Sequence, residues 1–339
     1  MALWQFLQSS ADAGALAQIG KAEQEVAAAA SGDVVVALAH FGCLRAQGAD
    51  AANYLHNLLT NDISGLKPEQ LRRAGFCTAK GRLLSTFLIW RDGADAADYF
   101  LLLPRDLTNG LARKLGMYIL RSKVKLADVS EEFAAVGVSG PHAEAILTGA
   151  GLAFPAADMS VAHTAAATVL RLSATRAIIS VAGAQLPALW ETLASKATPC
   201  GSQAWRWLDV RDGLGSIAAA TQEEFVPQML NLELVEGVSF RKGCYPGQEI
   251  VARSQYLGKV KRRMYRAHVA AAGAPPAPGT HVYSPANPDQ ASGMVVDATP
   301  GPAGGFDLLA VLQTAGEQFR LSSADGPALQ LQPLPYAVS

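Results

Sequence analysis

The apolar and polar positions of this chain change rhythm in a repeating order. The continuous apolar run Val34-Val35-Val36-Ala37-Leu38, within Asp33–Ala39, predicts a buried strand. Ahead of it, Gln18–Ala30 is rich in Ala, Glu and Gln and predicts a helix. From Gly48 to Leu59, Ala51, Tyr54, Leu55, Leu58 and Leu59 recur at helical spacing, with Asp50 as the cap and Thr60-Asn61-Asp62 as a polar exit. Alternation returns in Leu71–Thr78, Arg82–Trp90 and Asp98–Leu103, joined by turns at Ala79-Lys80-Gly81 and Arg91-Asp92-Gly93. Pro104 and Asp106 then open a helix that runs to Leu120.

A second round follows the same rhythm. Strands are predicted at Ser122–Asp128, Phe133–Ser139, Thr168–Leu172 and Ala177–Ala182, and helices at Pro141–Gly149, Leu186–Lys196 and Gln203–Asp212. The recurrence points to an α+β fold made of two related units, each an antiparallel sheet with helices on one face. From Arg262 the pattern alternates like a strand, and after a loop at Gly273–Gly279 come short strands at His281–Tyr283, Gly293–Asp297, Phe306–Leu312 and Gln318–Leu321, separated by Gly/Pro turns. These predict a small β-barrel. The expected domains are residues 1–125 and 126–258 and a C-terminal barrel at 259–339.

Composition narrows the class of protein. A chain of 339 residues exceeds one ordinary core, and with half its residues hydrophobic and 17 % charged it is globular. A net charge of −1 excludes a general nucleic-acid footprint but leaves room for a local one. Asp209, Asp212, Glu223, Glu224, Glu233 and Glu236 form an acidic span. The next span is basic, with Arg241, Lys242, Arg253, Lys259, Lys261, Arg262, Arg263 and Arg266 against Glu249. Met1–Gly20 lacks a secretory pattern, and no apolar run reaches the roughly 18 residues that a membrane span needs. The cysteines, Cys43, Cys77, Cys200 and Cys244, include no Cys-x-x-Cys pair, which fits a reducing cytoplasm and no self-contained metal site. Walker, dinucleotide-binding, zincin and Gly-x-Ser-x-Gly motifs are all absent.

Chemistry concentrates in Ser239–Arg253. Gly243 and Gly247 free the backbone and Pro246 fixes it, so Cys244–Gly247 reads as a tight turn, with Ile250-Val251 anchoring its exit. Lys242, Cys244, Gln248 and Glu249 would crowd around that bend. A thiol with an ordinary pKa of ~8.5 is pushed toward thiolate by cations such as Lys242 and Arg241 and held back by Glu249, so Cys244 reads as a nucleophile, a redox thiol or a metal ligand; a small buried residue filling a tight turn is the plainer reading. Glu249 and Asp209 could each grip an aminopyrimidine edge through two parallel hydrogen bonds, or pair with a local arginine. Arg253 and Lys259 could meet an anionic tail. Gln228 and Asn231, set among apolar residues, could orient a ligand or clamp a loop.

The octapeptide Lys242–Glu249, continued by Ile250-Val251-Ala252-Arg253 and Gly258, resembles the signature of the YgfZ-like branch of the glycine-cleavage T-protein superfamily. Phe225-Val226-Pro227-Gln228 to Asn231, Leu58–Asp62 and Ala79–Arg82 are similar to that family as well. The resemblance implies two ferredoxin-like lobes, interleaved in sequence, and a C-terminal barrel, arranged as a three-lobed ring around a central cavity that binds tetrahydrofolate. It implies support of iron–sulfur enzymes, including one that modifies tRNA, with direct tRNA contact open. Cys244 would be the functional thiol, Lys242 its electrostatic neighbour, and Gln248, Glu249 and Arg253 the shapers of turn and pocket. Aminomethyltransferases of this superfamily carry an essential aspartate in the strand after a Gly-Gly turn. Here Lys80–Trp90 holds no carboxylate, which argues against aminomethyl transfer. A one-carbon transferase and a non-enzymatic protein or tRNA adaptor using the Lys259–Arg266 span are the competing functions.

Overall fold

The computed structural model describes residues 2–7, 16–92, 98–256, 258, 260–316 and 318–338. Gly93 of the expected turn and Lys259 of the basic span lie outside the described residues. The elements are α1 (Ala22–Ser31), β1 (Val34–Ala37), β2 (Phe41–Gln47), α2 (Ala51–Leu58), β3 (Arg72–Cys77), β4 (Leu83–Arg91), β5 (Asp98–Pro104) and α3 (Arg105–Gly116). They continue with β6 (Lys125–Asp128), β7 (Phe133–Ser139), α4 (Ala143–Gly149), β8 (Ser160–His163), β9 (Ala167–Ser173), β10 (Arg176–Ala182), α5 (Leu186–Ala194), β11 (Thr198–Cys200) and α6 (Ser202–Arg211). Last come α7 (Gln248–Tyr256), β12 (Arg262–Val269), β13 (His281–Ser284), β14 (Asn287–Pro300), β15 (Phe306–Gln313), β16 (Arg320–Leu321) and β17 (Gln330–Gln332).

The chain divides into two compact units. The first is Met1–Leu55, Ile63–Arg72 and Phe87–Trp205. Its larger sheet has the order β11-β1-β7-β10-β9-β8, antiparallel except for the β1–β11 pair. Period-2 alternation puts Val35, Val136, Val138, Val169, Ile179 and Val181 on one face, under Ile146 and Leu147 of α4 and Leu186, Trp190 and Leu193 of α5. On the other face Gly137 makes room for the Trp205 ring, and the Arg176 guanidinium lies 4.2 Å from that ring's centroid. A second sheet of the unit sets β2 between β5 and β6, with the end of β4 beyond β5. Tyr54 of α2 donates to the Leu115 carbonyl of α3 at 2.7 Å.

The second unit is His56–Asp62, Arg73–Thr86 and Arg206–Ser339. Its sheet runs β16-β13-β14-β15-β12-β17, all antiparallel, and encloses Ala267, Val282, Val295, Leu308, Ala310 and Phe319. This is a half-barrel. Leu321 N→Pro327 O and Leu329 N→Phe319 O, both 2.9 Å, tie the segment before β17 to β16. The unit also holds His56–Asp62, the hairpin of β3 and the start of β4, the part of α6 from Arg206, the long connection from Gly213 to Gly247, and α7.

Several elements differ from the sequence reading. The strands β2, β8, β11 and β17 were not expected. β2 contains Gly42, Arg45 and Gln47, and β8, β11 and β17 are three or four residues long, so none carries a readable alternation. α3 ends at Gly116, four residues short of Leu120, which is exposed at φ 45°. A helix, α7, occupies the stretch read only as the exit of the turn.

A Cβ at position 137 would lie 2.5 Å from two Trp205 ring carbons. Gly137→Val is therefore expected to lower stability by about 1–3 kcal/mol through overpacking, read as a lower urea midpoint with an unchanged slope.

Candidate functional site

The polar turn after α2 is built first by its backbone needs. A helix end leaves carbonyls without partners. Here Lys242 Nζ donates to the His56 and Leu59 carbonyls, the latter at 2.8 Å. Thr60, fully buried, donates to Gly237 O at 2.7 Å and accepts from Gly75 N at 2.7 Å. Asn61 donates to Arg73 O and Glu236 O, each at 2.7 Å, and Ser239 N donates to Thr60 O at 2.9 Å. The run Thr60-Asn61-Asp62 is thus the clasp that fixes the approach to the cysteine turn. Asp62 also faces His56 Nδ1 at 2.9 Å.

The bend itself lies one residue later than expected. Gln248 N donates to Tyr245 O at 3.1 Å, with Pro246 and Gly247 between them and Gly247 at φ 80°. Proline followed by a positive-φ glycine is the type II pattern. Gly247 has a second reason to be glycine. A Cβ there would sit 2.4 Å from Thr78 O and 2.5 Å from Gly81 N, at the tip of the β3–β4 hairpin. Gly81, at φ 69°, returns the contact against Gly247 O and Ile250. Val251 is fully buried, while Ile250 stays 41 % exposed, so one member of the expected apolar anchor points inward.

Cys244 is exposed on this turn, whereas Cys43, Cys77 and Cys200 are buried. Burial pushes the Cys77 and Cys200 thiols up to about 12 and raises Cys43 as well. Lys242 sits 4.7 Å from the centroid of the buried Tyr245 ring. Its burial lowers the ammonium to about 8, while the charges of Asp62 and Cys244 pull it back up. Lys242 is therefore a capping cation under strain from desolvation as well as a neighbour of the thiol.

The remaining sequence-predicted residues fall into two groups. Gln228 is fully buried and donates to Val251 O of α7 at 2.8 Å, while its Oε1 is buried with no partner among the described residues. Gln248, Glu249 and Arg253 all lie on that helix. Gln248 is half-buried and the other two are exposed. Glu249 in the first turn and Arg253 in the last match the helix dipole. Asn231 is directed elsewhere. It sits at φ 55°, a conformation asparagine tolerates, and donates to Met264 O of β12 at 2.8 Å. Asp209, half-buried on α6, adds to the field around Arg206, whose guanidinium holds Asp297. The sequence reading did not foresee the roles of Asp62, Thr60 and Tyr245. The polar run that closes α2 was the one signal available.

Among the described residues no group of His, Cys, Asp or Glu is arranged to hold a metal ion, and no helix is long and apolar enough to cross a membrane. β4 presents Ser85 and Thr86 as its polar interior positions. Ser85 bonds to Thr86 O, and the Thr86 hydroxyl lies 3.3 Å from that of Ser216.

A two-unit α+β chain with this turn corresponds to a known class. The chain belongs to the family of the GCVT N-terminal domain, whose model matches residues 5–240. Its backbone superposes on the glycine cleavage system aminomethyltransferase T of Bartonella henselae with a TM-score of 0.73, covering 93 % of this chain and 89 % of that one at 16 % identity. Within the family it is YgfZ-like. The tRNA-modifying protein YgfZ of Sodalis glossinidius is 30 % identical over 310 residues, 90 % of this chain and 93 % of its own. That of Colwellia psychrerythraea is 33 % identical over 235 residues, 68 % and 70 % of the two chains.

Competitive acylation of Lys242 is expected to titrate with a midpoint near pH 8, well below an ordinary lysine. Because the folded chain releases this proton at lower pH than the unfolded chain, stability should rise as pH increases from about 8 toward 10. Lys242→Met should abolish that rise. Gly247→Ala is expected to destabilise the turn and raise the rate at which Cys244 reacts with a bulky thiol reagent.

Proposed function

We propose that this protein is a tetrahydrofolate-binding factor that supports the assembly or repair of iron–sulfur enzymes, among them one that modifies tRNA, with Cys244 as its working thiol. The observation that carries the reading is the contrast among the cysteines. Three are buried with raised thiols, and the fourth stands exposed on a turn held by Lys242 and the hairpin glycines. The YgfZ relatives, known as tRNA-modifying proteins, support the same reading.

The residues present fit a folate. Gln228 Oε1 is an orphaned buried acceptor, and an aminopyrimidine N–H is the kind of donor it lacks. Gln248, Glu249 and Arg253 of α7 would complete the holding set, and Asp209 and Asn231 would act from the neighbouring elements. Bound tetrahydrofolate would supply a one-carbon carrier. The chain's own residues would bind and orient it, and Lys242 would hold the proton balance beside the thiol. The three-lobed arrangement around a central cavity belongs to this proposal, as does a cytoplasmic site of action. Aminomethyl transfer is disfavoured, because β4 offers hydroxyls where a carboxylate would be needed to manage charge at the folate.

Calorimetry with tetrahydrofolate is expected to show saturable binding. A folded sample that takes up none at millimolar ligand sinks the folate reading. In a strain lacking the protein, Cys244→Ala is expected to leave iron–sulfur enzyme activities at the level of the deletion, while folate binding persists. Full rescue by Cys244→Ala removes the thiol from the function. Formation of methylenetetrahydrofolate from an aminomethyl donor would overturn the exclusion of transferase chemistry.

A further inference from the structure

The basic span divides in the folded chain. Arg263 turns inward, 6 % exposed, where it donates to Gln228 O at 2.9 Å and pairs with the buried Glu233. Lys261 and Arg262 instead join Arg82 and His281 on the wall of a cleft of about 390 Å³ in the second unit. That volume is within the usual range of a small-molecule site, roughly 300–1,000 Å³. Glu224 is the carboxylate in the lining, against three permanent cations. Arg82 donates to the Glu224 backbone carbonyl, and Arg262 makes a long contact of 3.5 Å to Ala291 O. Among the described residues neither arginine, nor Lys261, is paired with a carboxylate.

The rest of the wall is soft and apolar. Met229 and Met294, both half-buried, present thioethers, with Phe225 and Val311 buried behind them. Unpaired cations beside a polarizable surface suit a ligand that carries a phosphate and a planar ring together. An acidic peptide would satisfy the cations and leave the thioether surface uncovered.

We propose that this cleft binds one nucleotide of a single-stranded RNA segment, phosphate on Arg82, Lys261 and Arg262, base against Met229 and Met294. No residue of the cysteine turn lines this cleft, and the proposal stands whether or not the folate reading holds.

The test is fluorescence anisotropy with a labelled single-stranded RNA of mixed sequence, over a range of salt concentrations. Three phosphate-facing cations predict a slope of log K against log salt of about −2, falling to about −0.7 in the double variant K261Q/R262Q. Met229→Ala with Met294→Ala should weaken binding and leave the slope unchanged. Tetrahydrofolate binding by K261Q/R262Q, followed in parallel, should be unaltered. An unchanged affinity and slope in K261Q/R262Q overturns the proposal. So does absence of RNA binding by the unaltered protein at low salt, or displacement of the RNA by a polyglutamate peptide as readily as by unlabelled RNA. Should the double variant fail to fold, acetylation of Lys261 in the unaltered protein decides. Protection by RNA supports the site, and lack of protection overturns it.

Discussion

The candidate site depends on one close approach of backbone to backbone. Gly247 lies so near the hairpin tip at Thr78–Gly81 that no side chain fits between them, and both glycines hold positive φ. Two independent constraints, steric contact and backbone conformation, therefore select glycine at the same positions. The contact fixes where the Tyr245–Gln248 bend sits, and hence where α7 begins and where Cys244 is presented. A thiol on a loose loop would sample many positions. Here the loop is held against the hairpin on one side and clasped by Thr60, Asn61 and Lys242 on the other.

The clasp shows how backbone satisfaction and chemistry share residues. The carbonyls at the end of α2 need donors, and Lys242 supplies them from two residues before the cysteine. Meeting that need draws an ammonium into a partly buried position over Tyr245, and the loss of solvation brings its proton affinity close to neutral pH. The same side chain therefore closes a helix, orders a turn and leaves a titratable amine beside a thiol. Gln228 follows the same logic. Its amide N–H secures α7, and its oxygen is left buried with an unmet need for a donor.

Membership of the GCVT N-terminal domain family fixes the scaffold and leaves the chemistry to local residues. The backbone likeness to an aminomethyltransferase extends over most of the chain at low identity, yet β4 carries hydroxyls and no carboxylate. Two local features stand out on this scaffold, the exposed cysteine on its braced turn and the division of the basic span. Strand alternation in β12 sends Arg263 into a buried pair with Glu233 and leaves Arg262 facing the cleft.

The sequence by itself determined the long elements, because their burial patterns repeat with clear periods. β3, β4, β5, β7 and β10, and α2, α5 and α6, all lie within a few residues of the expected positions. It also marked Lys242–Glu249 as a run of glycine, proline and polar residues too dense to be of much use in a core. The tertiary structure alone decided the rest. β2 is a central strand whose Arg45 and Gln47 hide its alternation, and β8 and β11 are too short to show one, so pairing partners distant in sequence create them. Gln228 and Asn231 look alike in sequence, and only the fold sends one to α7 and the other to β12. Lys242 reads as no more than the electrostatic neighbour of the thiol until the end of α2 is brought beneath it. Local pattern fixes what a segment can become; which buried groups meet, and which are left without partners, is set by contacts between segments far apart in the chain.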